Sequence, residues 1–254
     1  MRKTLLSLLF ILVIGPALAE RTQKPPLHGK DWMAVTGKPL GAAAGARIFI
    51  QGGNAVDAAC AMLAATATMW DVLHWGGETQ ALIWDPRAKK VVGINALGVA
   101  PTGATPEYPP PYGPLAAVTP GTPGGLLVML AEYGRLSLAQ VLQPAIEMAD
   151  GYPMEGQTAR YIEEDRKEIE QWPDSKRLFF PNPGGKAPDP GQLFRQPELA
   201  ATLRKLVDAE RQALAAGADR KTAIRAAYDR FYKGDIAEQL VASVRAQGGL
   251  FTRE

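Results

Sequence analysis

"IFIQGGNAVDAACAMLAAT", residues 48–66, sets Gly52, Gly53 and Asn54 between two stretches with helical spacing, the second built almost wholly of small apolar residues. Ahead of the glycines, Pro39 suits a first helical position, and Leu40, Ala43, Ala44, Ile48 and Phe49 keep an apolar stripe up to Gln51. Gly52 and Gly53 fit the left-handed stop of that helix. Asn54 fits the cap of the next, and Asp57, three residues on, is placed to return a hydrogen bond or to favour the positive helix end. Val56, Ala59, Cys60, Leu63 and Ala67 follow the spacing of one buried face, and alanines fill most remaining positions. A helix apolar all round is buried on several sides, so this one is expected between a sheet and other helices, where small residues let backbones approach. Asn54 and Asp57 read as architecture, not as catalytic groups.

Downstream, "TQALIWD" (79–85) and "KVVGINAL" (90–97) are two strands joined by the turn "PRAKK". Gly76 and Gly77 form the loop before them and offer backbone N–H groups that an anion can use. "MAVTG" (33–37) reads as a short first strand. "PTGATPEYPPPYGP" (101–114) is an extended, proline-rich surface excursion. The following "LAAVTPGTPGGLLVMLAEYGRLSLAQVLQPAIEMADGYP" opens as a strand and turns at its Gly/Pro run. It continues as a helix from Gly124 to Tyr133 and, after Gly134, as a helix capped by Ser137. "PGTPGG" at that helix start resembles a phosphate-binding turn but lacks the Lys-Ser/Thr ending of a P-loop. From residue 155 the chain is mostly polar helices around the loop "FFPNPGGKAPDPGQLF" (179–194). Leu199, Leu203, Leu206 and Val207 give one of these helices its apolar face. The residues therefore predict a mixed α/β first half and a helical second half, with no clear linker.

At the amino terminus, Arg2 and Lys3 precede an apolar run from Leu5 to Ile14, and Ala17-Leu18-Ala19 supplies the small residues of a cleavage site. Residues 1–19 are read as a secretory signal, which predicts a secreted or periplasmic protein; a retained signal anchor is the alternative. The run falls short of the roughly 20 residues that span a bilayer, so no stable anchor is expected once the signal is removed. Residues 20–32 then form an extended arm. Of the 28 Lys and Arg, two leave with the signal, so 26 face the 26 Asp and Glu. This balance, without a dense basic cluster, argues against a nucleic-acid partner. The lone cysteine, Cys60, excludes an internal disulfide and reads as a small buried hydrophobe.

The chain carries no G-x-S-x-G elbow and no Cys/His/carboxylate set at metal-ligand spacing, and its two histidines, His28 and His74, lie far apart. Glu163, Glu164 and Asp165 sit in a charged helix and read as solvated. No catalytic residue is assigned from these features, and no cofactor or metal is implied.

The order of the motifs supplies what single residues do not. "QGGNAVDAACAML", then "ALIWDPRAKKVVGINALGVAP", then "AVTPGTPGGLLVMLAEYGRLSLAQVLQPAIEMADGYP", then "FYKGDIAEQLVASVRAQGGLFTRE" together resemble the gamma-glutamyltransferase family of N-terminal-nucleophile hydrolases, over residues 33–254. The resemblance implies a four-layer αββα sandwich made from one precursor that cuts itself and frees a threonine at the start of a small subunit. That threonine would be the nucleophile, with its own α-amino group as base, and would lie beyond Glu254. Residues 33–254 are then an incomplete large-subunit portion, inert alone. Its partners are the small subunit of the same precursor and a small-molecule amide or γ-glutamyl substrate.

In family members that act on glutathione, an arginine in an Asp-Gly-Arg-Glu-x-Ala-Pro-like segment grips the glutamyl α-carboxylate. Here that segment is Asn95 to Pro101, with Leu97 at the arginine position. The preceding loop reads Gly76-Gly77-Glu78-Thr79 where four glycines are typical. Leu97, Gly98, Gly76 and Gly77 are the candidates for lining the substrate pocket. Leu97 favours an acyl group other than glutamyl, as in the related cephalosporin acylases. A third reading, a non-catalytic binding or scaffold relative, follows from the early chain end.

Overall fold

The computed structural model describes residues 27–69, 74–105 and 112–253. The signal sequence expected at 1–19 lies outside them, as do the first part of the arm and the middle of the proline-rich excursion. The chain divides at Met33 into two units. In the first, residues 27–33 are exposed and without regular structure.

The second unit begins with two helices, α1 (Pro39–Ile50) and α2 (Ala55–Ala67). Their junction follows from sequence chemistry. Gly53 N–H donates to the Ile48 carbonyl at 2.9 Å and Gly52 N–H to Phe49 at 3.0 Å, with Gly52 at φ +85°. This is the paired 6→1 and 5→2 pattern that a glycine past the last turn permits. Asn54 Oδ1 then accepts from the N–H of Val56 and Asp57, and Asp57 Oδ2 accepts from the N–H of Asn54, closing a capping box. The two helices lie unusually close. A Cβ at Gly41 would sit 2.8 Å from Thr66 Oγ1, and one at Gly45 would sit 2.7 Å from Met62 Cγ. Two glycines four residues apart on α1 thus admit two side chains four apart on α2.

The hairpin follows as β1 (Thr79–Asp85) and β2 (Lys90–Ala96), antiparallel with Thr79 opposite Ala96 and Asp85 opposite Lys90. Helices α3 (Thr122–Tyr133) and α4 (Leu138–Asp150) come next. The short strands β3 (Tyr152–Pro153) and β4 (Leu193–Phe194) enclose α5 (Gly156–Glu164), α6 (Arg166–Ile169) and α7 (Pro173–Phe179). The chain then runs through α8 (Pro197–Ala215), α9 (Arg220–Lys233) and α10 (Asp235–Ala246). The mixed first half and helical second half are as the sequence predicts. One core joins α2, α3, α4, α8 and α9 around Leu126, Leu130, Leu142, Leu203 and Ile224; a second gathers Tyr152, Ile162, Phe180 and Phe194.

Four sequence expectations change. First, α2 packs on α1, α3 and α4, and α3 lies against the hairpin, so α2's chief neighbours are helices. Second, of its expected face Cys60 and Ala67 are buried and Val56 and Leu63 pack partly buried on the core, but Ala59 is exposed while Asp57, Ala58, Ala61, Ala64 and Ala65 are also buried, because a helix so rich in alanine gives a stripe pattern little to distinguish one face from another. Third, residues 33–37 and 115–119 form no strand. The latter stretch has turn hydrogen bonds from Ala116 to Gly113 and from Ala117 to Pro114, and Thr119 makes a single bond to Val99. Fourth, α3 starts at Thr122 rather than Gly124, since Pro123 is admitted in the first turn.

The hairpin's faces differ. Ala81, Ile83 and Ile94 pack on the main core, while Leu82 and Trp84 on the opposite face are 81% and 60% exposed.

Asp57 does more than cap α2. Its buried carboxylate also accepts from Arg135 N–H at 2.9 Å and Leu136 N–H at 3.1 Å, in the corner between α3 and α4. Gly134 makes room for it, since a Cβ there would lie 2.6 Å from Asp57 Oδ1. Removing the buried carboxylate leaves partly buried donors on three residues, Asn54, Arg135 and Leu136, without their acceptor. Asp57→Ala should therefore lower the unfolding free energy by about 3–5 kcal/mol and Asn54→Ala by about 1–2 kcal/mol, both measured by urea unfolding. Equal effects would show Asp57 to be only a cap.

Candidate functional site

The site candidates lie where β2 ends. Asn95 Oδ1 accepts from Leu97 N–H at 3.1 Å and turns the chain out of the strand. Gly98 N–H then donates to Glu78 Oε1 at 2.8 Å, tying this segment to the loop before β1. A side chain at Gly98 would overlap the Thr119 carbonyl, and one at Gly121 would overlap the Ala96 carbonyl. The Gly/Pro turn therefore presses the start of α3 directly onto the end of β2.

That turn is fully engaged. Gly77 O accepts from both Gly121 N–H at 2.9 Å and Thr122 N–H at 3.0 Å, and Thr122 Oγ1 lies 3.0 Å from Thr79 Oγ1. Tyr232, on α9, donates its hydroxyl to Pro120 O at 2.6 Å and accepts from Gly124 N–H at 2.9 Å. Gly121, Thr122 and Gly124 thus have no free donor for an anion, so "PGTPGG" builds a helix–strand junction rather than a phosphate cradle.

Around this junction is a groove of about 330 Å³, lined among others by Asn95, Leu97, Gly98, Val128, Tyr228 and Tyr232. No charged side chain among the described residues lines it. Leu97 stands 45% exposed at its edge, and the rings of Tyr228 and Tyr232 lie 4.6 Å apart. Beyond Val99 and Pro120, a smaller cavity of about 130 Å³ is walled by Phe231, Leu240, Val241 and Phe251.

The four candidates separate here. Leu97 and Gly98 line the groove, whereas Gly76 and Gly77 do not. Gly77 lies behind it, holding α3 through its carbonyl and donating its own N–H to His74 O at 2.9 Å. The anion-binding loop expected there is to that extent spent on structure. His28 and His74 are exposed. Cys60 is buried against the Leu126 carbonyl, and burial pushes its thiol far above the ordinary cysteine range. The sequence reading missed Glu78, Val128, Tyr228 and Tyr232. Tyr228 and Tyr232 were legible only as a four-residue spacing on one of the polar helices after residue 155.

The gamma-glutamyltranspeptidase family model matches residues 41–254. The chain belongs to that family. Among curated gamma-glutamyltranspeptidase relatives, the chain is 32% identical over 233 residues to the glutathione hydrolase-like YwrD proenzyme of Bacillus subtilis, covering 88% of this chain and 41% of that protein. It is also 32% identical over 257 residues to the Acylase ACY 1 proenzyme of a Pseudomonas species, covering 92% and 42%. The crystal structure of Helicobacter pylori gamma-glutamyltranspeptidase superposes with a TM-score of 0.78 at 29% identity, over 90% of this chain and 64% of that one. The fold is thus the α/β fold of these N-terminal-nucleophile hydrolases. The chain spans about two fifths of the length of the curated gamma-glutamyltranspeptidase relatives.

Burial raises the Tyr232 phenol to about 12, from an ordinary value near 10. A group whose proton is held more tightly in the folded state stabilises below its unfolded value and loses that contribution as pH rises through its folded value. Tyrosinate absorbance should show one phenol ionising near pH 12, absent in Tyr232→Phe, and the stability difference between the two proteins should shrink from about pH 10 to 12. A Tyr232→Phe protein that keeps the pH 12 step would contradict this assignment.

Proposed function

We propose that this chain is the amino-terminal part of a secreted, self-processing amidase of the gamma-glutamyltranspeptidase family, and that its groove at the end of β2 holds the acyl group of the amide. Its relatives' names, a glutathione hydrolase-like proenzyme and an acylase proenzyme, support both the chemistry and maturation from a precursor. The nucleophile is assigned to the amino-terminal threonine of a small subunit from the same precursor, paired with this chain as a heterodimer. Its hydroxyl attacks the amide carbonyl while its α-amino group takes the proton. The C–N bond breaks, the amine leaves with that proton, and water or a second amine attacks the acyl-enzyme. Hydrolysis or transfer follows from which of them attacks.

The observation that carries this reading is the groove itself, since it is walled by Asn95 to Val99, the first part of the segment that resembles the family's glutamyl-gripping segment. Leu97 favours a non-glutamyl acyl donor. Truncating one partner of a desolvated charge pair costs about 2–5 kcal/mol, and the groove lining offers no cation in exchange. Arg87, Lys89 and Lys90 belong to the far end of the hairpin.

Expression of the whole reading frame, with intact-mass measurement and amino-terminal sequencing, tests the assignment. Two fragments are expected, the second beginning with threonine. A single uncut chain would overturn it.

A further inference from the structure

We propose that Glu78 makes this groove select neutral or cationic acyl groups and reject anionic ones, a substrate class that rests on reading the groove as the acyl-binding site. Among the described residues the walls carry no charge, and a formal charge is bonded to them. Glu78 accepts the Gly98 N–H at 2.8 Å, which places a carboxylate beside the segment carrying Leu97. The same edge that lacks a cation therefore gains an anion.

The two features act together. A donor with a carboxylate at this end meets no guanidinium and a like charge, in a partly apolar groove where screening is weaker than in bulk water. A donor with an ammonium meets an opposite charge, in a groove that Tyr228 and Tyr232 also line. A donor with neither has an apolar wall in Leu97 and Val128. Glu78 is exposed, so its effect is moderate and falls with ionic strength.

Four p-nitroanilides of matched acyl length separate these terms: γ-glutamyl, glutaryl, 4-aminobutyryl and butyryl. They are assayed on the mature protein expressed from its whole reading frame, by release of p-nitroaniline. The 4-aminobutyryl and butyryl compounds should exceed the glutaryl compound in kcat/KM by on the order of tenfold or more, with the γ-glutamyl compound between. Glu78→Gln keeps an oxygen that can accept from Gly98 while removing the charge. The ratio of 4-aminobutyryl to glutaryl turnover should then fall by at least about fivefold, and 0.5 M salt should compress the wild-type ratio but not the variant's. A purely structural Glu78 would change all four rates in proportion and leave that ratio fixed, which would overturn the inference, as would a preference for the glutaryl compound. Cleavage of none of the four overturns the amidase reading separately. Ligand-observed NMR titration with 4-aminobutyramide and glutaramate then decides the preference without turnover, and tighter binding of glutaramate would overturn it.

Discussion

The corner between α3 and α4 is held by charged side chains from three other helices. Asp57 from α2 takes the N–H groups of Arg135 and Leu136. Glu210 from α8, buried to the same degree, takes those of Leu138 at 2.6 Å and Ala139 at 3.0 Å. Arg220 from α9 donates to the carbonyls of Leu130 at 2.7 Å and Leu136 at 2.8 Å. Two helix ends meeting inside a core leave unpaired donors and acceptors, and here each set is answered by a side chain of the matching sign. Because α3 is fixed at this end, its other end can be pressed onto β2 without slipping, and the groove at that junction inherits its shape.

This arrangement explains why so few of the buried titratable side chains suggest chemistry. Asp57 and Glu210 have several backbone partners each, and Cys60 is pushed away from its thiolate by burial. A carboxylate occupied by backbone donors is an architectural element. Glu78 differs because its bonding to Gly98 leaves it exposed beside the groove.

Local chemistry was legible in the sequence where one residue decided it. Gly52 as a helix stop, Asn54 and Ser137 as caps, and the hairpin bounded by Thr79 and Ala96 all follow from nearest-neighbour physics. Long-range uses of the same residues were not legible. Asp57 reads identically whether it caps one helix or also clamps a corner 78 residues away. The strand expected at 33–37 failed because a strand needs a partner as well as a pattern, and the segment has no ladder among the described residues. Leu97 and Gly98, singled out by motif order, line the groove, whereas Tyr228 and Tyr232 reach it from a helix distant in sequence and required the fold.

If the groove between the end of β2 and α3 receives the acyl group of the substrate, a crystal structure of the whole protein trapped with a slowly turned over butyryl ester will show it. Acyl-chain density is expected against Leu97, Gly98 and Val128, with the Tyr232 bonds to Pro120 and Gly124 intact. Acyl density elsewhere, with this groove filled by the protein's own side chains, would contradict it.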